Sequence, residues 1–133
     1  MSTDHTQPAR VTGLHHYTLR CSEAELEPLQ DFYTRHLGLA IGPRPNLPAP
    51  GYWLYLGGRP VIHLYAIAPE PTPYLQGPLD HVALHAHDLD GTRAYLRAQG
   101  LPFEEAPVPG WPIHQIFLRD PLGLKVELSF ELE

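Results

Sequence analysis

The chain spells nearly the same phrase twice. LHHYTL at 14–19 returns as LDHVAL at 79–84, so that His16 falls on His81, 65 residues further on. FYTRHLGL (32–39) returns as AYLRAQGL (94–101), pairing Tyr33 with Tyr95, Gly38 with Gly100 and Leu39 with Leu101. VIHLYA (61–66) returns as KVELSF (125–130), pairing His63 with Glu127. Three blocks recurring in one order at nearly constant spacing mark a duplicated structural unit, and the fold must be built from two copies of it.

Each copy reads alike. A short alternating strand (14–20 and 79–85) precedes a helix, which in the first copy is expected to start with Pro28 at its first position, where the missing N–H costs nothing. Gly38 and Gly100 fit the left-handed residue that ends a helix. Strand-like runs follow at 39–42, 52–56 and 61–66, and again at 101–104, 113–118 and 124–130, with GGRP (57–60) and DPLG (120–123) as hairpin turns. The expectation is an α+β fold of two β-α-β-β-β modules that form an open, cup-shaped mixed sheet with the helices outside. Residues 1–9 read as a flexible tail, 10–67 as the first module, 68–77 as a proline-rich linker and 78–133 as the second module. About sixty residues make a thin core, so the modules are expected to share one domain.

The remaining composition narrows the function classes. A net charge of −6 with dispersed Lys and Arg offers no basic stripe to a phosphate backbone, so nucleic acid is not an expected partner. Cys21 is the single cysteine and cannot form an internal disulfide, no apolar run approaches a membrane span, and MSTDHTQPAR lacks the apolar core of a secretory signal. A cytoplasmic protein with no membrane partner is expected. Nine histidines equal all Lys and Arg together.

Side chains alternate across a strand, so residues two apart share a face. Tyr17, Leu19, Val82 and Leu84 mark the helix-packed face of the opening strands, which leaves His16 and His81 opposite. Ile62, Leu64, Val126 and Leu128 mark the packed face of the closing strands, which leaves His63 and Glu127 opposite. His15 aligns with Asp80 and is expected to point away from His16. Four strands each aim one metal-capable side chain at the same side, and an unpaired buried Glu127 would be costly without a cation. Two histidines and a carboxylate with open positions suit non-heme Fe(II), and also catalytic zinc. Tyr52, Trp53, Tyr65, Tyr74, Trp111 and Phe117 are candidate aromatic walls for a small aromatic substrate, with Trp111, in a Pro-Gly loop, as a substrate-facing lid.

LHHYTLR, FYTRHLGL, LDHVAL and DPLGLKVELSF together resemble the vicinal oxygen chelate superfamily, over about residues 12 to 130. That superfamily contains glyoxalase I, extradiol dioxygenases, fosfomycin-resistance thiol transferases and bleomycin-resistance proteins. The resemblance implies a homodimeric enzyme for a small molecule, with one divalent ion (Fe2+ foremost; Zn2+, Ni2+, Co2+ or Mn2+ otherwise) on His16, His81 and Glu127. Likeness to extradiol dioxygenases makes His63 an acid–base group and implies ring cleavage of a catechol-like substrate, with Phe117 where those enzymes carry a tyrosine. Likeness to glyoxalase I makes His63 a fourth metal ligand, Glu127 a proton carrier and Arg20 a binder of the glutathione carboxylate, in a lactoylglutathione lyase type of reaction. Likeness to bleomycin-resistance proteins implies non-catalytic binding of a small molecule, although such proteins usually lack the metal ligands.

Overall fold

The structure, a computed structural model, describes residues 8–75 and 77–133; most of the expected N-terminal tail, residues 1–7, lies outside the described residues. The first repeat contains β1 (Tyr17–Arg20), α1 (Glu23–Asp31) running into a wider π-helical turn (Phe32–His36), β2 (Ala40–Gly42), β3 (Gly51–Leu56) and β4 (Arg59–Tyr65). The second contains β5 (His81–Ala86), α2 (Leu89–Ala98), β6 (Glu104–Pro107), β7 (Ile113–Arg119) and β8 (Lys125–Glu131). Both repeats are therefore β-α-β-β-β and the class is α+β. The strands form two four-stranded mixed sheets, ordered β1-β4-β3-β2 and β5-β8-β7-β6. In each, the opening strand runs parallel to the closing strand, while the remaining pairs are antiparallel.

One face of each sheet carries the core. Ile62, Leu64, Ile116, Leu118, Val126 and Leu128 are buried there with the helical residues Leu26, Leu29, Tyr33 and Leu96, in one cluster that draws on both repeats. The other face is more open, with Thr18, Arg20, Ala83 and His85 exposed. No helix among the described residues is long and apolar enough to cross a membrane.

Three boundaries differ from the sequence expectation. β1 begins at Tyr17, leaving Leu14, His15 and His16 before the strand. Its ladder starts at Tyr17↔Ile62, just beyond Pro60, a residue with no N–H to offer. Helix α1 begins five residues before Pro28, because Ser22 and Glu25 form a reciprocal capping box in which Glu25 Oε1 accepts from the Ser22 N–H at 2.9 Å. Pro28 sits inside the helix, where it costs the bond to the Ala24 carbonyl. Finally, β6 begins at Glu104 and not at Leu101, because the Leu101 N–H is tied back to the Leu96 carbonyl at 3.0 Å to close α2. Gly38 and Gly100 do end the helical segments, at φ 78° and 68°.

Several polar contacts join the repeats, among them the Tyr95 hydroxyl, which lies 2.9 Å from His36 Nδ1. The Tyr33 hydroxyl donates to Asp120 Oδ2 at 2.7 Å, while Asp120 Oδ1 accepts from the Leu122 and Leu124 N–H groups at 2.9 and 3.0 Å. The linker is pinned at both ends: Thr72 donates to Glu25 through its N–H and hydroxyl at 3.0 Å, and the Tyr74 N–H reaches the Leu122 carbonyl at 2.6 Å. Burial pushes the Asp120 carboxyl above its usual range, against the pull of these hydrogen bonds. Burial alone would also raise Glu25, but the hydrogen bonds from Ser22 and Thr72 together hold it below its usual range.

A raised folded pKa means that the stabilisation is present below the unfolded value and is lost as pH rises through the folded value. Asp120→Asn keeps an acceptor for the two backbone donors and removes the buried charge. Its stability relative to wild type should therefore improve from pH 4 to pH 7 in urea unfolding, and a difference that stays constant with pH would contradict this account. Glu25→Ala removes the cap and the linker anchor, and should cost about 1–2 kcal/mol at neutral pH in the same measurement. That deficit should shrink as the pH falls through the lowered Glu25 pKa.

Candidate metal centre

In the first repeat, the parallel register sets Thr18 beside His63, and the antiparallel register sets Trp53 beside His63 from the other side. The rings form a continuous stack. Trp53 and His63 lie 3.9 Å apart at 8°, and His63 and His16 lie 3.8 Å apart at 15°. His63 is 8% exposed, and its Nε2 lies 3.2 Å from the Pro60 carbonyl. A carbonyl only accepts, so that contact places the proton on Nε2 and the lone pair on Nδ1. Burial, helped by the neighbouring His16, holds the His63 pKa below its ordinary value.

His15 does not point away from His16. Because both precede the strand, alternation does not govern them, and the two Nδ1 atoms lie 2.8 Å apart. When His16 donates in this bond, its Nε2 carries the lone pair that a metal needs.

In the second repeat the register is Ala83↔Glu127 and Phe117↔Glu127, with His81 beside Lys125. Glu127 is 6% exposed, and its Oε1 lies 3.2 Å from His81 Nε2. On the far side of the ring, His81 Nδ1 lies 2.7 Å from Asp80 Oδ2, an oxygen that also takes the Lys125 ammonium at 3.2 Å. The hydrogen bond from His81, with that from Lys125, holds the Asp80 carboxyl below its usual range. An ionised Asp80 only accepts, so Nδ1 carries the proton, and in the neutral form of the ring Nε2 turns its lone pair toward the Glu127 carboxylate. In that form a divalent ion between Nε2 and Oε1 would satisfy both atoms. Bonds of roughly 2.0–2.2 Å meeting at right-angled to tetrahedral angles give about 3.0–3.5 Å between ligand atoms, so the His81–Glu127 spacing suits a divalent ion. The carboxylate on the other ring nitrogen is the usual support for a histidine ligand.

The four sequence-derived donors are thus brought together in two pairs, His16 with His63 and His81 with Glu127. No group of three His, Cys, Asp or Glu side chains poised to hold a metal exists among the described residues. His16 and His81 do border one cleft of about 500 Å³ between the start of the first repeat and β5. Leu14, Leu56 and Leu79, exposed by 81, 40 and 49%, lie along it.

The other candidates divide by face. Phe117 lies on the donor side, with its ring centroid 6.5 Å from that of His81. Arg20 is exposed at the end of β1, and Trp111 is 69% exposed in the turn before β7. Tyr52 belongs to the helix side: it pairs with Leu64, and its hydroxyl donates to Glu27. Tyr74 is spent on the linker, donating to the Leu79 carbonyl. The supports of the two histidines went unrecognised in the sequence, although the signal was there. His15 and Asp80 occupy the same repeat position, and each bonds the Nδ1 of the histidine that follows it.

No curated protein matches the chain in sequence. Solved structures share the fold. A protein of the glyoxalase family from Bacillus anthracis superposes with a TM-score of 0.76 at 20% identity, covering 94% of this chain and 99% of its own. FosX, the genomically encoded fosfomycin resistance protein of Listeria monocytogenes, gives 0.69 at 17% identity, covering 91% and 94%. Lactoylglutathione lyase of Agrobacterium tumefaciens gives 0.65 at 19%, covering 92% and 96%. The profile of the Glyoxalase/Bleomycin resistance protein/Dioxygenase superfamily matches residues 13–128, nearly the whole of both repeats, and the chain belongs to that superfamily.

Proposed function

We propose that the protein is a divalent-metal-dependent enzyme in which His16, His81 and Glu127 hold Fe(II), and that it cleaves the ring of a small catechol-like substrate. The observation that carries this reading over the lyase alternative is the state of His63. As a fourth ligand beside His16, His63 would have to leave the stack between Trp53 and His16, because two parallel rings 3.8 Å apart do not aim their in-plane lone pairs at one ion; through Nε2 it would also give up the Pro60 carbonyl. Left where it is, it makes the ligand set two imidazoles and one carboxylate, which keeps adjacent positions open.

A divalent ion, when bound, supplies a Lewis acid at which two neighbouring oxygens can bind side by side. His63 supplies the base: its Nδ1 lone pair accepts the proton of a substrate hydroxyl, and the Nε2–Pro60 bond keeps the ring in the tautomer that can do so. Phe117 gives the substrate ring an apolar neighbour on the second repeat. Trp111 and Arg20 are the further substrate contacts, from a turn and a strand end that stand open to solvent.

The donor pairs meet, in this reading, because two copies of the chain exchange halves, so that His16 of one copy joins His81 and Glu127 of the other. Leu14, Leu56 and Leu79 give that association an apolar surface to cover.

Protein purified without oxygen should contain iron and take up oxygen on addition of catechol; absence of both defeats the dioxygenase. His63→Ala should retain the iron and lose roughly a hundredfold or more in uptake rate. Loss of the metal in that variant would favour the four-ligand lyase instead, and a wild-type chain that binds no divalent ion would favour a resistance-type binding protein. For the shared centre, His16→Ala and His81→Ala should each lose tight Co(II) binding. Dissociating and mixing the two variants should restore about a quarter of the sites, since half the reassorted dimers hold one intact centre of two. No recovery would mean that each centre lies within one chain.

A further inference from the structure

Beside His81 and Glu127 the structure holds a second pocket, of about 280 Å³, lined by Pro102, Phe103, Glu104, Phe117, Arg119 and Lys125. Lys125 is its unusual member. It stands on β8, an inner strand of its sheet, in register with His81 and with Arg119, on the face that carries Glu127. Its Nζ sits 5.4 Å from the centroid of the Phe117 ring. A cation at this place works against any divalent ion on His81 and Glu127. Little structural gain offsets that, because its carboxylate partner Asp80 is 74% exposed, and such pairs add little to stability. Arg119 brings a second cation to the same wall and is exposed, with one of its guanidinium nitrogens 3.2 Å from the Gly123 carbonyl. Glu104, in register with Phe117, places one negative charge on the far side and so limits how much anion the pocket can take.

We propose that this pocket is the subsite for a single carboxylate of the substrate, held by Lys125 and Arg119, with the planar body of the molecule against Phe117 and its opposite end at His81 and Glu127. The substrate class is then a small aromatic carboxylate. The inference rests on the reading that His81 and Glu127 belong to the metal centre, and it adds the charge that the molecule must carry. It also accounts for the lysine, whose repulsion of the metal is relieved when the substrate brings its own negative charge.

Binding to the Co(II)-loaded protein, with oxygen excluded, can be compared for 3,4-dihydroxybenzoate, catechol and benzoate by calorimetry and ligand-observed NMR. Dihydroxybenzoate should bind about tenfold or more tightly than catechol, as expected for hydrogen bonds to a charged group. Lys125→Met with Arg119→Gln should bring the two affinities within about twofold of each other, and Lys125→Arg should keep the preference. In the absence of any organic anion, Lys125→Met should bind Co(II) more tightly than wild type. A wild type without the preference, or a double variant that keeps it, overturns the subsite while leaving the metal centre standing. If neither diol binds, the catechol reading fails, and benzoate decides the subsite. Benzoate binding that is lost in the double variant upholds the subsite, and no benzoate binding in wild type overturns it.

Discussion

The parallel pairing of the opening strand with the closing strand, β1 with β4 and β5 with β8, is the contact on which everything else in this molecule depends. It brings together two segments separated by a helix and a hairpin, so that Thr18 meets His63 and Ala83 meets Glu127. Because register decides the face of every residue in a strand, a slip of one position would turn His63 or Glu127 into the helix-packed core. The apolar partners forbid that slip: Ile62, Leu64, Val126 and Leu128 fill the opposite face and are almost wholly buried. His63 and Glu127 face away from the helices because the apolar residues beside them cannot.

That logic is local and periodic, and for that reason much of it was legible in the sequence. The repeat, the faces of the strands, the hairpins, the glycines that end the helices and the pairing of His63 with Glu127 all follow from alternation and from matching positions. What was not legible involves contacts that periodicity does not encode. Helix α1 starts where a serine and a glutamate cap each other, and that bond outweighs the preference of Pro28 for a first position. His15 escaped the alternation rule because the ladder of β1 starts one residue after His16. The distance between the two donor pairs depends on how the sheets are set against each other. That is governed by Tyr33, Asp120 and the pinned linker; Tyr33 has its repeat match in Tyr95, but Tyr95 meets His36 and not an aspartate, and Asp120 and the linker have no counterpart in the other half.

The two repeats also solve one orientation problem by different physics. His16 is oriented by ring faces, through His63 and Trp53. His81 is oriented by charge, between Asp80 on one nitrogen and Glu127 on the other. Trp53 and Phe117 hold the same place in the two sheets, each across from the donor of its closing strand, yet Phe117 is left to Lys125 and the open side.

A stack of rings held by their faces is little affected by ionic strength, whereas the chain of Lys125, Asp80, His81 and Glu127, with Asp80 exposed, rests on charges that dissolved ions screen within about ten ångströms at 0.1 M. One repeat of the duplicated unit is therefore buffered against its medium and the other is responsive to it. Duplication gives the protein one histidine fixed by packing and a second whose orientation varies with the salt around it.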